Sequence, residues 1–259
     1  MAAGFAPSAG TLMVQAARLL AGAGHVTAFS GAGISVESGI PPFRGAGGLW
    51  SRVDPGFIEI EYFRRQPEKS WLRIKEIFYD FFGRAAPNEA HFGVAAMEKA
   101  GLVRAVITQN IDNLHQRAGS REVIEFHGNS QWLVCLDCLK RESVTPGRLD
   151  VLPPCCAFCG GLLKPDFIFF GEGIPEKALQ RSYQEASLAD VFLVIGSSGE
   201  VMPACQIPSL AKARGAKLIE INASESNFTA IADVFLKGPA TEIVAGLVKA
   251  VGIVDGLKG

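Results

Sequence analysis

Two hydrophobic periods alternate along the chain. Short, largely apolar runs occur at 25–30, 103–108, 123–126, 190–196, 216–221 and 233–236. Their brevity and β-branched content predict strands. Between them, 12–23, 88–100, 175–189, 204–214 and 241–251 read as helices. The first sets Val14, Ala17, Leu20 and Ala21 on one stripe and closes at Gly22 and Gly24, while 88–100 opens after Pro87-Asn88 and closes at Gly101. Two more helices are predicted at 55–62 and 67–82. The second carries Trp71, Ile74, Ile77, Phe78, Phe81 and Phe82, a face suited to a core or a cleft wall. Strands alternating with helices predict an α/β fold, a doubly wound parallel sheet with right-handed crossovers.

In such a sheet, chemistry collects at the carboxyl ends of the strands. The stretch 106–128 has two such ends close together. The first breaks into Gln109-Asn110-Ile111-Asp112, and the second delivers His127-Gly128. The strand at 25–30 runs into Gly31-Ala32-Gly33-Ile34-Ser35. This is either a tight strand-to-helix turn or a loop that lets backbone N–H groups approach a diphosphate. The dinucleotide fingerprint G-x-G-x-x-G is incomplete because position 36 is Val36, so an ordinary dehydrogenase is disfavoured. A Gly- and Pro-rich loop follows over 37–50, long enough to be a lid or binding loop. Phe43 and Arg44 within it either meet an anionic, aromatic ligand or serve as a core anchor and a solvated charge.

Length and composition narrow the classes. A chain of 259 residues can bury one large core or a core plus a small insert. Its formal net charge of -1 gives no global reason to expect direct nucleic-acid or membrane-surface binding. The first ten residues are small and uncharged and are expected to be unstructured, without the features of a signal peptide. No run approaches the 18 or so apolar residues needed to span a bilayer. A cytoplasmic address is expected.

Five of the six cysteines lie between 135 and 159. Cys135-x2-Cys138 and Cys156-x2-Cys159 are separated by 17 residues, the spacing of paired zinc knuckles. Four thiolates close a tetrahedral site and leave no position for water, so one structural zinc is expected and a metal hydrolase is not. Cys155 and Cys205 read as ordinary thiols.

Of four histidines, His25, His91 and His115, the last inside a helix expected over 111–118, read as surface, capping or packed side chains. His127 stands at a strand end beside the Gln109–Asp112 turn, where a neutral imidazole can accept a proton. With no G-x-S-x-G elbow and no cysteine in a nucleophile-like setting, it would act on a hydroxyl of a substrate or cofactor.

Taken in order, these segments resemble the sirtuins, NAD-dependent protein-lysine deacylases. The pieces are Gly31-Ala32-Gly33-Ile34-Ser35, Gly39-Ile40-Pro41-Pro42-Phe43-Arg44-Gly45, Thr108-Gln109-Asn110-Ile111-Asp112 and His127-Gly128. The cysteine knuckles, Phe170-Gly171-Glu172, Gly196-Ser197-Ser198 and Ile221-Asn222 follow, so the resemblance covers about 12–250.

The resemblance implies an NAD-binding Rossmann-like domain over 1–39, 86–129 and 167–259. It also implies a cofactor-loop and helical module over 40–85 and a zinc-ribbon module over 130–166. Gly31, Ala32, Gly33, Ser35, Val36, Phe43 and Arg44 would line the NAD site. Gln109, Asn110, Ile111 and Asp112 would hold the nicotinamide and its ribose. Gly196, Ser197, Ser198, Asn222 and Ala240 would take the adenosine side. Phe170, Gly171, Glu172, Gly199, Glu200 and Val201 would offer backbone edges to an acetylated peptide. Asn110 and His127 would be catalytic, His127 as general base on a ribose hydroxyl after the acyl oxygen displaces nicotinamide. The implied products are free lysine, nicotinamide and O-acetyl-ADP-ribose.

Two departures bear on specificity. Pro42 stands where the family more often has Asp or Thr, and proline has no N–H. Family members that remove succinyl and malonyl groups carry a Tyr-x-x-Arg pair, whereas here Tyr79 is followed at the third place by Phe82. An acyl carboxylate would lack a partner, so deacetylation is expected, extending to longer apolar acyl groups. Mono-ADP-ribosyl transfer to protein is the alternative within enzymes, and an inactive NAD-sensing module the alternative outside them.

Overall fold

The computed structural model describes residues 8–44 and 47–253. Gly45 of the resemblance, its neighbour Ala46, and the first seven residues of the expected unstructured start lie outside that range. Ser8 already caps a helix: its side chain accepts the Thr11 N–H at 3.3 Å and opens α1 (Ala9–Gly22). The buried stripe of α1 is Ala16, Ala17 and Leu20. Val14 is exposed, because the side facing the sheet is set one residue away from the expected stripe.

The chain continues through β1 (Val26–Ser30), α2 (Ile60–Arg65), α3 (Pro67–Ile74), α4 (Glu89–Lys99), β2 (Val103–Thr108), α5 (Leu114–Arg117) and β3 (Val123–Glu125). Then come β4 (Gly128–Cys135), β5 (Arg141–Ser143), β6 (Leu163–Phe167), α6 (Glu176–Leu188), β7 (Val191–Ile195), α7 (Gln206–Ala213), β8 (Lys217–Asn222), β9 (Val234–Lys237) and α8 (Ala240–Ala250). The large sheet has the order β3-β2-β1-β7-β8-β9 with every pairing parallel. This is the expected doubly wound Rossmann arrangement. The strand order reverses between β1 and β7, and a crevice opens at their carboxyl ends.

One face of the sheet packs on α1, α4 and α8 through Leu20, Met97 and Val244, and the other on α6 and α7 through Ala186 and Ile207. A third core lies outside the sheet. It joins the helices of 40–85 to the cysteine module, with Trp71, Phe78 and Phe82 on one side and Leu133, Leu163 and Phe167 on the other. The cysteine module itself is an antiparallel sheet, β5-β4-β6, whose strands the hydrophobic pattern does not predict.

Three expected helices differ. The segment 55–62 is a 3-10 turn (Pro55–Ile58), then extended Glu59, then α2, because Ile58 and Ile60 pair with Phe170 through their backbones. The segment 67–82 passes from α3 into a π-helical turn (Lys75–Phe81) in which Lys75 reaches Asp80 five residues on. That widened turn buries Phe78 and Phe82 and leaves Phe81 exposed. The segment 111–118 keeps only α5: the Asp112 carboxylate accepts the Leu114 N–H at 3.0 Å, and Asn113 adopts φ 62°.

At the strand-order reversal two backbones touch. The Gly33 N–H donates to Gly196 O at 2.8 Å, and Gly196 has φ 63°. A Cβ on Gly196 would lie 2.4 Å from Ile34 N, so only glycine permits this approach. Gly196→Ala should therefore destabilise the protein by at least about 2 kcal/mol in urea denaturation, strain and clash combined. Gly22→Ala, with nothing within 4 Å of the added Cβ, is the control. It should stay within about 1 kcal/mol of the parent. Equal stability of both variants would contradict this account of the contact.

Candidate active site

The turn after β2 is held by groups from three elements. The Gln109 N–H donates to Ser30 O at 3.0 Å, and the Asn110 N–H donates to Thr108 Oγ1 at 3.1 Å. Buried Asn110 turns its amide to Gly31 O and Ser35 Oγ, each at 3.2 Å. Ser35 Oγ donates in turn to Asp112 Oδ2 at 2.7 Å. Burial raises the Asp112 carboxyl above its ordinary pKa, and hydrogen bonds from Leu114 and Ser35 partly offset that. Asn110, Ser35 and Asp112 thus form one polar cluster at the base of the cleft.

His127 stands at the next strand end. The parallel register pairs Thr108 with Glu125, and the Phe126 N–H donates to Thr108 O at 2.9 Å. This alignment brings His127 Nδ1 within 3.0 Å of Gln109 O. A carbonyl oxygen can only accept, so the proton sits on Nδ1 and Nε2 keeps its lone pair. Burial pulls the imidazole pKa below its usual range, and the Gln109 carbonyl opposes that. At neutral pH the ring is uncharged and able to take a proton.

Gln109 also ties this half of the cleft to the other. Its Nε2 donates to Ser197 Oγ at 2.9 Å, and Asn222 Nδ2 donates to Ser197 O at 3.0 Å. Gly196, Ser197, Ser198 and Asn222 therefore lie along the rim formed by β7 and β8. Ala240 begins α8 just past β9, where the Gly238 N–H donates to Asn222 O at 3.0 Å. Gly31, Ala32, Gly33 and Ser35 face the same crevice from the end of β1. Val36, one position further on, is exposed and lines a pocket with Pro41, Leu49 and Phe81.

In the long loop, Phe43 packs on Trp50 (centroids 5.4 Å apart) and Phe82 (6.2 Å), while Arg44 is exposed. The missing N–H of Pro42 leaves no gap, because the loop is closed through carbonyls. Pro42 O accepts from Leu49 at 2.8 Å, and Phe43 O accepts from Trp50 at 3.0 Å. A small cavity of about 30 Å³ separates Phe78 and Phe82 from Ile111, Asp112 and Arg117. The Arg117 guanidinium is engaged by Ala85 O at 2.6 Å.

Of the expected peptide edge, Phe170 is already paired: its N–H donates to Ile58 O at 2.9 Å and its carbonyl accepts from Ile60 at 3.0 Å. Gly199 O accepts from Asn227 at 3.0 Å, and Glu200 is exposed at the crevice rim. Any strand addition therefore falls to Gly171 and the segment around Glu200 and Val201.

Several buried groups behind the cleft are invisible to a reading by strand ends. His115 Nε2 lies 2.9 Å from Ser30 Oγ, which donates to Thr108 Oγ1 at 2.9 Å. His91 Nδ1 accepts the Asn88 N–H at 3.3 Å as half of a capping box, and its Nε2 faces Ser35 Oγ at 3.4 Å. Burial drives both rings neutral, His115 to a pKa of about 4 and His91, also beside His115, to about 2. Only the Pro87-Asn88 helix start signalled this in the sequence. His25 pairs with Glu185 at 2.8 Å, away from the cleft.

The donor set suits a dinucleotide: amides and hydroxyls for sugar and carboxamide groups, and one exposed arginine on the loop for a diphosphate. At the far end of β4, the sulfurs of Cys135, Cys138, Cys156 and Cys159 lie within 4.8 Å of one another. Tetrahedral zinc with bonds of about 2.3 Å separates its sulfurs by about 3.8 Å. The Cys135–Cys159 and Cys138–Cys156 pairs, at 3.4 and 3.7 Å, fit that geometry. β4 runs from His127's neighbour to Cys135, a span of roughly 20–25 Å at strand rise. The metal is structural.

A model of the Sir2 family matches residues 31–203. NAD-dependent protein deacylase 2 of Pyrobaculum aerophilum is 45% identical over 242 residues, covering 92% of this chain and 95% of that protein. NAD-dependent protein deacetylase 1 of the same organism is 44% identical, covering 90% and 92%. Among solved structures, a Sir2 protein with p53 peptide and NAD+ matches with TM-score 0.85 and 37% identity, covering 93% of this chain and 99% of that one. A Sir2 homolog–NAD complex matches with TM-score 0.84 and 39% identity, covering 92% and 93%.

Removing one thiolate should open the metal centre and loosen the third core, since Cys135 and Cys156 are part of it. Purified protein should carry one zinc per chain by elemental analysis. Cys156→Ser should lose the zinc and lower the melting temperature, whereas Cys155→Ser should retain both. Full zinc occupancy in Cys156→Ser would contradict the ligand assignment.

Proposed function

The chain belongs to the Sir2 family, and on that premise we propose that it removes acetyl groups from protein lysines with His127 as the general base. It is an NAD-dependent protein deacetylase. When bound, NAD supplies an electrophilic ribose carbon that receives the acyl oxygen, with nicotinamide as the leaving group.

The observation that carries the assignment of His127 is its hydrogen bond to Gln109 O. That bond leaves Nε2 unprotonated, and among the described residues no protein hydroxyl or thiol is hydrogen-bonded to the ring. Nε2 therefore takes the proton of a hydroxyl presented by the ligand rather than activating a side chain. Asn110 and Asp112, already oriented by Ser35, hold the carboxamide end. Ser197, Ser198 and Asn222 hold the adenosine end, and Phe43 covers the reacting ribose and excludes water. Gly171 and the segment Gly199, Glu200 and Val201 take the main chain of an acetylated peptide by strand addition.

The aromatic wall supports an apolar acyl group. Phe78 and Phe82 line the cavity beside Ile111, and among the described residues the one cation there, Arg117, is engaged by Ala85 O. An acyl carboxylate at that wall would be desolvated without a partner. None of the described helices is long and apolar enough to cross a membrane. Free thiols arranged as metal ligands favour the cytoplasm as the site of action.

With an acetyl-lysine peptide and NAD, His127→Ala should lower kcat on the order of 10²- to 10⁴-fold while retaining zinc. The parent kcat/KM should be flat above neutrality and fall on acidification with a midpoint below the ordinary histidine value of 6.5, because burial disfavours the imidazolium. Succinyl peptide should be the poorer substrate. Undiminished turnover in His127→Ala would remove His127 from the mechanism.

A further inference from the structure

Lys164 is a charged residue that the proposed chemistry leaves unused, and it is only 4% exposed. It lies on β6, and its ammonium sits 4.1 Å from the centroid of the Phe169 ring. Nζ donates to Pro165 O at 2.9 Å and to Phe167 O at 2.6 Å, and it pairs with Glu172 Oε2 at 3.0 Å. The same carboxylate oxygen accepts the Phe169 N–H at 2.7 Å. The Glu172 N–H returns to Phe169 O at 3.0 Å, closing a four-residue turn. Its third residue, Gly171, has φ 92°, the conformation for which this turn position selects glycine. One buried cation thus holds both the end of β6, through Phe167, and the closing residue of the turn, through Glu172.

The segment so held connects the base to the helical module. The Ile168 N–H donates to His127 O at 2.9 Å, and Phe170 pairs with Ile58 and Ile60 through both of its backbone groups. Among the described residues, the N–H and carbonyl of exposed Gly171 have no intramolecular partner. The turn is fixed on either side of one free residue, beside the catalytic strand end.

We propose that Lys164 is a positioning residue for the peptide substrate. By neutralising Glu172 inside the aromatic core it presets the 169–172 turn, so that Gly171 meets the main chain of an acyl-lysine peptide without further ordering. An edge that is ordered before binding gives up less conformational entropy when the peptide pairs with it. Without the ammonium, Glu172 is left as an uncompensated, partly buried carboxylate. It turns to solvent and releases the Phe169 N–H, and the turn loosens. The proposal rests on the strand-addition reading of the peptide site.

The test is a ratio. The kcat/KM for an acetyl-lysine peptide with flanking residues is divided by that for a capped acetyl-lysine amide without them, in the parent, Lys164→Met, Glu172→Gln and the double variant. The parent should prefer the peptide, and Lys164→Met should lower that preference by about tenfold, the worth of one or two backbone hydrogen bonds. The double variant, with no buried charge left and an amide oxygen still able to accept from Phe169, should recover part of the loss. A purely structural role would lower the melting temperature or the active fraction and leave the ratio unchanged.

A Lys164→Met enzyme with the full peptide preference overturns the proposal and leaves the strand-addition reading standing. A parent enzyme with no preference overturns that reading and the proposal with it. Should Lys164→Met fail to fold, Glu172→Gln decides by the same ratio, since it cannot neutralise Lys164.

Discussion

The hydrogen bond from His127 Nδ1 to the Gln109 carbonyl is the contact on which the site depends. It joins the ends of two adjacent parallel strands, so the orientation of the imidazole follows from sheet register rather than from a mobile side chain. It also fixes the tautomer, leaving Nε2 as the basic atom. Gln109 carries the link across the sheet through Ser197, and Asn222 holds Ser197 from β8. Four strand ends, those of β3, β2, β7 and β8, are thereby set relative to one another before any ligand arrives. Preorganisation of this kind lowers the reorganisation needed when proton transfer begins.

Behind that line, polar groups are buried only in saturated or neutral form. Asn110, Ser35 and Asp112 satisfy one another, and His91 and His115 stay uncharged because burial disfavours their protonation. Outside the sheet, a shared aromatic core fuses the helical segment to the zinc module, and its members Phe167 and Phe169 flank the Ile168 N–H that binds His127 O. The zinc contributes to chemistry only by holding that core together at the far end of β4. Lys164 brings a charge into the same core and puts it to positional use.

The sheet was legible in the sequence because each strand is a compact apolar run and each crossover a helix of matching length. The four zinc ligands were legible because knuckle spacing is a local constraint. His127 could be singled out because it stands at a strand end close in sequence to the Gln109–Asp112 turn, where chemistry collects in such a sheet. The interruption at Glu59 was not legible, since it arises from pairing with Phe170, more than a hundred positions away. Nor were β4, β5 and β6, whose pairing is imposed by the metal site and the third core rather than by alternation of apolar residues. The outward turn of Phe81 required the π-helical register. Lys164 belongs to no motif in the sequence, and only the fold brings Glu172 to it.

The central claim is that His127 is held as a neutral, Nδ1-protonated base. Nitrogen-15 NMR of histidine-labelled protein, with His127 assigned by comparison to His127→Ala, tests this directly. At neutral pH the account predicts a protonated Nδ1 and an unprotonated Nε2 for that ring. An imidazolium, or a neutral ring carrying its proton on Nε2, would contradict it.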